Sequence, residues 1–446
     1  MVGFIQNSQR MLHFNNKIGI TVILLLLCWA CKIKPNLSLY SDHPEILSDY
    51  YQVKCDGRQQ PVFYGRPAGL LLGEWSGKGK SYTLNFGTPI HSFETIPANV
   101  ITNPRIDGED VHFKVEQAAN FFIRINNNYV YPLMVSVAAP VQLPMAENVL
   151  TFEAGIHDAG VIKLKDNQTL FLKKGAYVHG TVIIEGVENV KICGAGMLVG
   201  KNYKEGSQPA GIYLNHSQKV TISGVSLIDS PAAAIVIDSA EKIEIDNVKI
   251  IGNREQRMGD DAINIFNSQQ ITINNIMSNT RNNSVALMNK SGQVNHNITV
   301  KNATFWKGDY GNVLEIGYLA ENMFLKNCTF ENINIAHLDA GAAINISSNA
   351  NIIEDLYYTN IKIFDSRFMI YNVNLDQQTT IKNVQFKNQQ FLGTVPAYSN
   401  FKFHNQENAN AFSFEGLRYK GKLIKNIREF NSKTTDYSIL SHAMVP

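Results

Sequence analysis

Charge is scarce in this 446-residue chain: Asp, Glu, Lys and Arg together make up 17% of it, below the roughly 25% of an ordinary soluble domain. Forty basic against 38 acidic side chains leave a formal net charge of +2. No block of like charge is long enough to form a polyanion-binding arm, so a nucleic-acid partner is not expected. Cysteine is scarce too, with five in all. Past the N-terminal region only Cys55, Cys193 and Cys328 remain, an odd number at wide spacing with no Cys-x-x-Cys and no His pair. That excludes a disulfide framework and a zinc site, and each is expected to pack as a small hydrophobe. No metal and no cofactor is expected. With 14 prolines and 44% hydrophobic residues, the chain is neither disordered nor collagen-like. Helical periodicity is nearly absent, and Asn is frequent from about residue 200 onward, usually beside Ile or Val, a composition that suits stacked strands.

The one long apolar run is N-terminal. Arg10 and Lys17 precede Ile18 to Ala30, interrupted only by Gly19 and Thr21, which is the length of a signal-peptide core and short for a spanning helix. Residues 1–31 therefore read as an export signal. The run ends Cys28-Trp29-Ala30-Cys31. A small residue before a Cys resembles a bacterial lipobox, in which Cys31 would be lipidated and attach the protein to a membrane. Plain secretion and an uncleaved anchor stay open as alternatives.

The remainder shows two regimes. Residues 35–145 carry short alternating segments, Tyr82-Thr-Leu-Asn-Phe86, Val111-His-Phe-Lys-Val115 and Phe121-Phe-Ile-Arg-Ile125, bounded by Gly, Pro, Asn or Asp, as antiparallel strands of a small sandwich would be. From 148 to 440 the pattern becomes a repeat. Apolar triplets recur at Ile212, Ile235, Ile263, Val285, Val313 and Ile344, at intervals of 23, 28, 22, 28 and 31 residues. These are too short for a βαβ unit and right for one turn of a β-solenoid. A second strand follows in each turn, as in Val220-Thr-Ile222 and Met323-Phe-Leu325. After it an Asn recurs, at Asn247, Asn275, Asn302, Asn327, Asn360 and Asn383, where stacked amides can pass hydrogen bonds along a ladder and tolerate tight-turn φ and ψ. The expected fold is all-β: a right-handed parallel β-helix of about ten coils, with an N-terminal β-sandwich packed at its N-terminal end.

Coils stacked roughly 4.8 Å apart leave a long cleft down one face, which suits an extended polysaccharide, although fold alone assigns no function. The segments Phe152-Glu-Ala-Gly-Ile156, Val161-Ile-Lys-Leu-Lys165, Asn167-Gln-Thr-Leu-Phe171, Gly175-Ala-Tyr-Val178, Gly180-Thr-Val182 and Gly194-Ala-Gly196 resemble the first coils of the polygalacturonase (family 28) and dextranase/isopullulanase (family 49) clan of β-helix glycoside hydrolases. The family 49 branch also carries an N-terminal β-sandwich. Its hallmark stretch resembles Gly259-Asp-Asp-Ala-Ile263, and its aromatic-acid segment resembles Trp306 to Tyr318. The resemblance implies glycosidic-bond hydrolysis on a polysaccharide, with dextran-like α-glucan as the nearest substrate.

Inverting hydrolysis needs one carboxylic acid to protonate the leaving oxygen and one carboxylate to activate water, roughly 6.5–9.5 Å apart, and adjacent carboxylates raise each other's pKa. By analogy to the dextranase pattern, Asp260 is the general acid and Asp261 a general base. The alternative is that the pair caps a turn between coils. The clan uses three carboxylates, and this sequence departs from it. In the dextranase register the preceding coil reads Ala232-Ala-Ala234; in the polygalacturonase register Asp261 matches the first catalytic Asp and the adjacent pair becomes Asn282-Asn283. Glu315, two triplets after Ile263-Asn-Ile265 and hence roughly 9–10 Å away if the coils stack in register, is the candidate for the missing group, unless it pairs with Lys307 or Arg281. Asp309 is the spare.

Arg254 and Arg257 offer guanidinium forks for a carboxylate or sulfate on an acidic glycan. Trp306, Tyr310 and Tyr318 offer faces for sugar rings, or else plug coil ends. Asn283, Lys307 and Asp309 complete the expected substrate contacts, with His337 and Asp339 as rim candidates. Two other functions remain open. One is a β-helix lyase or epimerase, of which a lyase would leave unsaturated ends and a pectate-lyase-like site would need a Ca²⁺ cage of carboxylates; the other is a non-catalytic glycan-binding β-helix, which would release no reducing ends.

Overall fold

The computed structural model describes residues 40, 43–65, 68–142, 145–204, 206–252, 259–288, 294–317, 322–349, 351–393, 398–425, 433–434 and 444–445. The export signal, Cys31, Arg254, Arg257 and Tyr318 lie outside these.

Two five-stranded sheets form the sandwich. One has the order Arg58–Gln60, Gln52–Cys55, Lys80–Asn85, Asp110–Val115, Thr102–Asp107; the other has Val62–Gly65, Ala68–Glu74, Leu133–Ala138, Ala119–Ile125, Phe93–Ile96. The second sheet is apolar on both faces, which explains the unbroken run Phe121-Phe122-Ile123. Phe121 and Ile123 point into the sandwich with Leu84, Val111 and Val135. Phe122 points the other way, with Leu70 and Met134, against Met197, Val199, Ile228, Ile251, Met277, Trp306 and Ala336 of the β-helix. The sandwich therefore lies along the flank of many coils rather than packing at the N-terminal end. A sheet with two apolar faces has to cover both of them.

From Val149 onward one 30-stranded sheet winds as a parallel β-helix of three strands per coil. The first strand of successive coils stacks as Ile212–Asn215, Ile235–Asp238, Ile263–Phe266, Val285–Met288, Leu314–Ile316 and Ala342–Ser348. Alternation puts Ile263 and Ile265 into the interior and turns Asn264 outward. Farther along, Phe330, Tyr358, Phe386 and Phe414 stack with centroids 4.9, 4.9 and 4.8 Å apart and planes within 9°, the rung spacing itself, each pair adding roughly 0.5–1.5 kcal/mol beyond its buried area. Cys193 and Cys328 are buried among apolar neighbours, while Cys55 in the sandwich is partly exposed.

Two amide columns, rather than one, run along the outside. Asn247, Asn275, Asn302, Asn332, Asn360 and Asn388 all have φ near +53° and join the second strand to the third. Asn297, Asn327, Asp355 and Asn383, equally left-handed, begin the second strand. Asn327 and Asn383 thus belong to the other column, because the strand partner of Ile298-Thr-Val300 is Cys328-Thr-Phe330 and not Met323-Phe-Leu325. Both corners demand a left-handed residue, and Asn meets that demand at either, so spacing alone did not separate them.

Candidate active site

The third strand of each coil hands over to the first strand of the next, and the acids gather in that connection. Asp229 follows strand Ser226–Ile228; Asp260 and Asp261 precede Ile263–Phe266; Asn282 and Asn283 precede Val285–Met288; Asp309 and Asn312 precede Leu314–Ile316. Asp260 is 4% exposed. Its Oδ2 accepts the Arg281 backbone N–H at 3.0 Å. Burial pushes its pKa well above the ordinary carboxylate value against that bond, and the charges of Asp229 and Asp261 push the same way. Asp261 is 6% exposed, and its Oδ1 accepts both the backbone N–H and Nδ2 of Asn283 at 2.9 Å. Its Oδ2 accepts Asn264 Nδ2 at 3.1 Å. Burial raises this pKa as well, but the amide donors oppose it by favouring the ionised form. Two neighbouring carboxyls thus sit in unlike surroundings, the arrangement that separates an acid from a base.

Gly252 is what lets Asp260 sit there. A Cβ at this position would fall 2.3 Å from Asp260 Oδ1. Gly252→Ala is expected to displace the carboxyl and lower kcat on the order of 10²-fold, with a stability loss of about 1–3 kcal/mol from overpacking, read by kinetics and thermal melting. Unchanged kcat would show that the position of Asp260 is unimportant.

A polar chain leads away from Asp261. Asn283 Oδ1 accepts the Asn312 backbone N–H at 2.7 Å, and Asn312 Nδ2 donates to Glu315 Oε2. Asn345 Nδ2 donates to Glu315 Oε1 at 2.7 Å, and Asn345 Oδ1 in turn accepts Asn372 Nδ2 at 2.6 Å. The triplet reading Val313-Leu-Glu315 is off by one: the strand is Leu314–Ile316, and Glu315 is the outward middle residue, in line with Ala286 and, one rung further, Asn264. A slip of one residue reverses the face, and Val313 fits an apolar triplet in either register. Both oxygens of Glu315 are engaged by amides, and the side chain is buried. Glu315→Gln, which sets an amide NH₂ against one of those donors, is expected to cost about 1–3 kcal/mol of stability and to lower kcat far less than loss of Asp260 does, as chemical denaturation and steady-state rates would show. A rate loss as large as that of Asp260→Asn would make Glu315 the base.

Comparison with known proteins gives the lineage. Residues 135–428 match the model of glycosyl hydrolases family 28. The chain belongs to that family. It is also 23% identical over 328 residues to a dextranase of Arthrobacter sp. (strain CB-8), covering 65% of this chain and 48% of the relative, so it spans about half the length of that curated protein. Dex49A from Penicillium minioluteum shares the fold, with a TM-score of 0.59 at 11% identity over 90% of this chain and 94% of the other. The resemblance to the dextranase and polygalacturonase clan is borne out.

For this family 28 chain the coil before the acid pair does carry alanine at the matching rung, since Ala234 donates its N–H to Asp261 O. The carboxylate that coil contributes is Asp229, four residues earlier than Ala233. Sequence reasoning missed it because Asp229 takes a left-handed φ of +47° in the turn instead of a rung position. Asn264 and Asn345 were missed too. The available signal was a polar residue in the middle of an apolar triplet, the outward position. Asn264 Oδ1 is buried and meets no donor among the described residues.

The expected substrate contacts divide. Tyr310 is exposed at the edge of the turn. Asp309 is forked by Arg281, with Nε to Oδ1 and Nη2 to Oδ2 both at 2.9 Å, so Arg281 serves Asp309. Asn283 is buried and spends its amide on Asp261 and Asn312, which makes it a positioning residue. Trp306 is no sugar platform: it is buried against Phe122 at 5.4 Å and His337 at 5.2 Å, under the sandwich. Lys307 is fully buried, donates to Gly308 O at 2.8 Å and Ala340 O at 2.6 Å, and burial lowers its pKa to about 7. His337 is likewise no rim residue. It is fully buried, 2.7 Å from Asp365 Oδ2 and 3.0 Å from Asp339 Oδ1, with the Tyr129 ring of the sandwich 4.6 Å away. Asp339 shares its Oδ1 with Arg367 at 3.0 Å.

Proposed function

We propose that this protein hydrolyses the glycosidic bonds of a polysaccharide with inversion, Asp260 protonating the leaving oxygen and Asp261 taking a proton from the attacking water. The observation that carries this reading is the unlike environment of the pair. Burial next to two other carboxylates raises the pKa of Asp260 and favours its protonated form, the form a general acid needs. Asp261 Oδ1 already accepts two N–H bonds, whereas Oδ2 accepts one and retains a lone pair. That lone pair can take a proton from water, the part a general base plays in a single displacement. The family 28 match and the dextranase likeness support a polysaccharide as substrate.

Incubating the protein with dextran and with polygalacturonate separately, with reducing-end detection and NMR of the first anomer released, tests this. Reducing ends of inverted configuration are expected from one of them. A retained anomer would overturn the mechanism. Products absorbing in the ultraviolet as unsaturated ends would make the protein a lyase, and no cleavage of either polymer would favour the non-catalytic glycan-binding alternative.

A further inference from the structure

Beyond the edge of the sandwich, a second groove runs along the outside of the last coils, at the opposite end of the third strands from the acid-bearing turns. Its volume is about 480 Å³, and Pro97 of the sandwich forms one wall. The floor is two parallel columns of side chains in register. One is Asn332, Asn360 and Asn388, ending at Gly416; the other is Asn334, Lys362, Gln390 and Arg418, each residue directly paired to the next.

The chemistry of this floor is one-sided. Nδ2 of Asn360 donates to Asn332 Oδ1 at 3.0 Å and Nδ2 of Asn388 to Asn360 Oδ1 at 3.2 Å, which leaves the second N–H of each amide outside the ladder. At the end of the column a Cβ on Gly416 would fall 2.8 Å from Asn388 Oδ1, so the ladder stops there. Lys362 and Arg418 are exposed, and among the described residues no carboxylate lines the groove. Neither cation meets an acid among the described residues, whereas other exposed lysines on these coils do, as Lys382 with Glu354 and Lys387 with Glu415. The donors repeat at the rung spacing of about 4.8 Å, close to the length of one pyranose in an extended chain. Arg418 Nη1 donates to Gly421 O at 3.1 Å and meets no carboxylate among the described residues, so a strip of amide donors punctuated by two cations without an acid matches a polymer that offers hydroxyls at every residue and negative charge at intervals.

We infer that this groove binds an acidic polysaccharide, a chain bearing uronate or sulfate groups, as a holding site separate from the catalytic turns. It does not require that the polymer held be the polymer cut. The carboxylates or sulfates pair with Lys362 and Arg418, and the Asn column receives the hydroxyls between them.

Native gel electrophoresis of the full chain, in gels cast with polygalacturonate or with unsubstituted dextran, tests it. Polygalacturonate is expected to retard the wild-type protein, and less so as salt shortens the Debye length toward 3 Å. The double variant Lys362→Gln/Arg418→Gln is expected to lose about threefold to tenfold in apparent affinity, as two exposed charge contacts would. Its melting temperature and its release of reducing ends from short oligosaccharides are expected to stay at the wild-type level. Equal retardation of variant and wild type, or no retardation of the wild type, would overturn the site. So would equal losses on dextran and polygalacturonate, which would remove the role of charge. None of these readings depends on cleavage, so an inactive protein that is still retarded would sink the hydrolase reading alone.

Discussion

Asp260→Asn is expected to lower kcat by about 10²–10⁴-fold, the usual contribution of a general acid, while the melting temperature holds or rises. The two halves of this result share one cause. Burial places the folded-state pKa of Asp260 above its ordinary value, so the folded chain binds this proton more tightly than the unfolded chain does. Stability from this group is therefore full below the ordinary carboxylate pKa and declines as pH climbs from there toward the raised value. Asn has the same shape, keeps an oxygen for the Arg281 N–H, and stays neutral at every pH. The variant's stability should thus fall less between mildly acidic and neutral pH than the wild type's, and the alkaline limb of the wild-type rate profile should lie above the ordinary carboxylate range. Measuring kcat and thermal melting across that window decides the matter. A variant that keeps more than about a tenth of the rate, or melts several degrees lower, would return Asp260 to the role of a turn residue.

The second large effect belongs to Trp306. Trp306→Ala is expected to cost about 3–5 kcal/mol, as truncation of a buried large aromatic does, because the indole fills the seam between Phe122 of the sandwich and His337 of the β-helix. Tyr129, which packs near the same indole and carries Arg124 and Arg367 on its ring at 4.2 and 4.8 Å, would lose part of its support as well. Urea denaturation gives the loss directly. For the molecules still folded, KM is expected to stay near the wild-type value, since the indole is covered by protein. A raised KM with a stability change under about 1 kcal/mol would restore Trp306 as a sugar-stacking surface.

Much of this molecule is legible in its sequence. Triplets such as Ile235-Val-Ile237 and Ile263-Asn-Ile265 recur at coil length because every coil must bury the same inward face, and a period of that kind is written into the chain wherever it folds this way. The acid pair was legible as well, since two adjacent Asp residues between a Gly and an apolar triplet interrupt that pattern. The run Phe121-Phe-Ile-Arg-Ile125 announced a strand, and its lack of strict alternation already carried the message that both faces are covered. What covers the second face was not written in it.

The amino-acid order alone determined the all-β character, the coil repeat and the place where carboxylates meet the turn, because those depend on contacts between residues at a fixed short period. Tertiary structure decided which of the candidates share an environment. It brought Asp229 beside Asp260, turned Glu315 outward by a single residue of register, and hid Trp306, Lys307 and His337 beneath the sandwich. Residue type tells what a side chain can do, but its burial and its partners come from segments distant in the chain, and these alone set whether an indole meets a sugar or a phenylalanine.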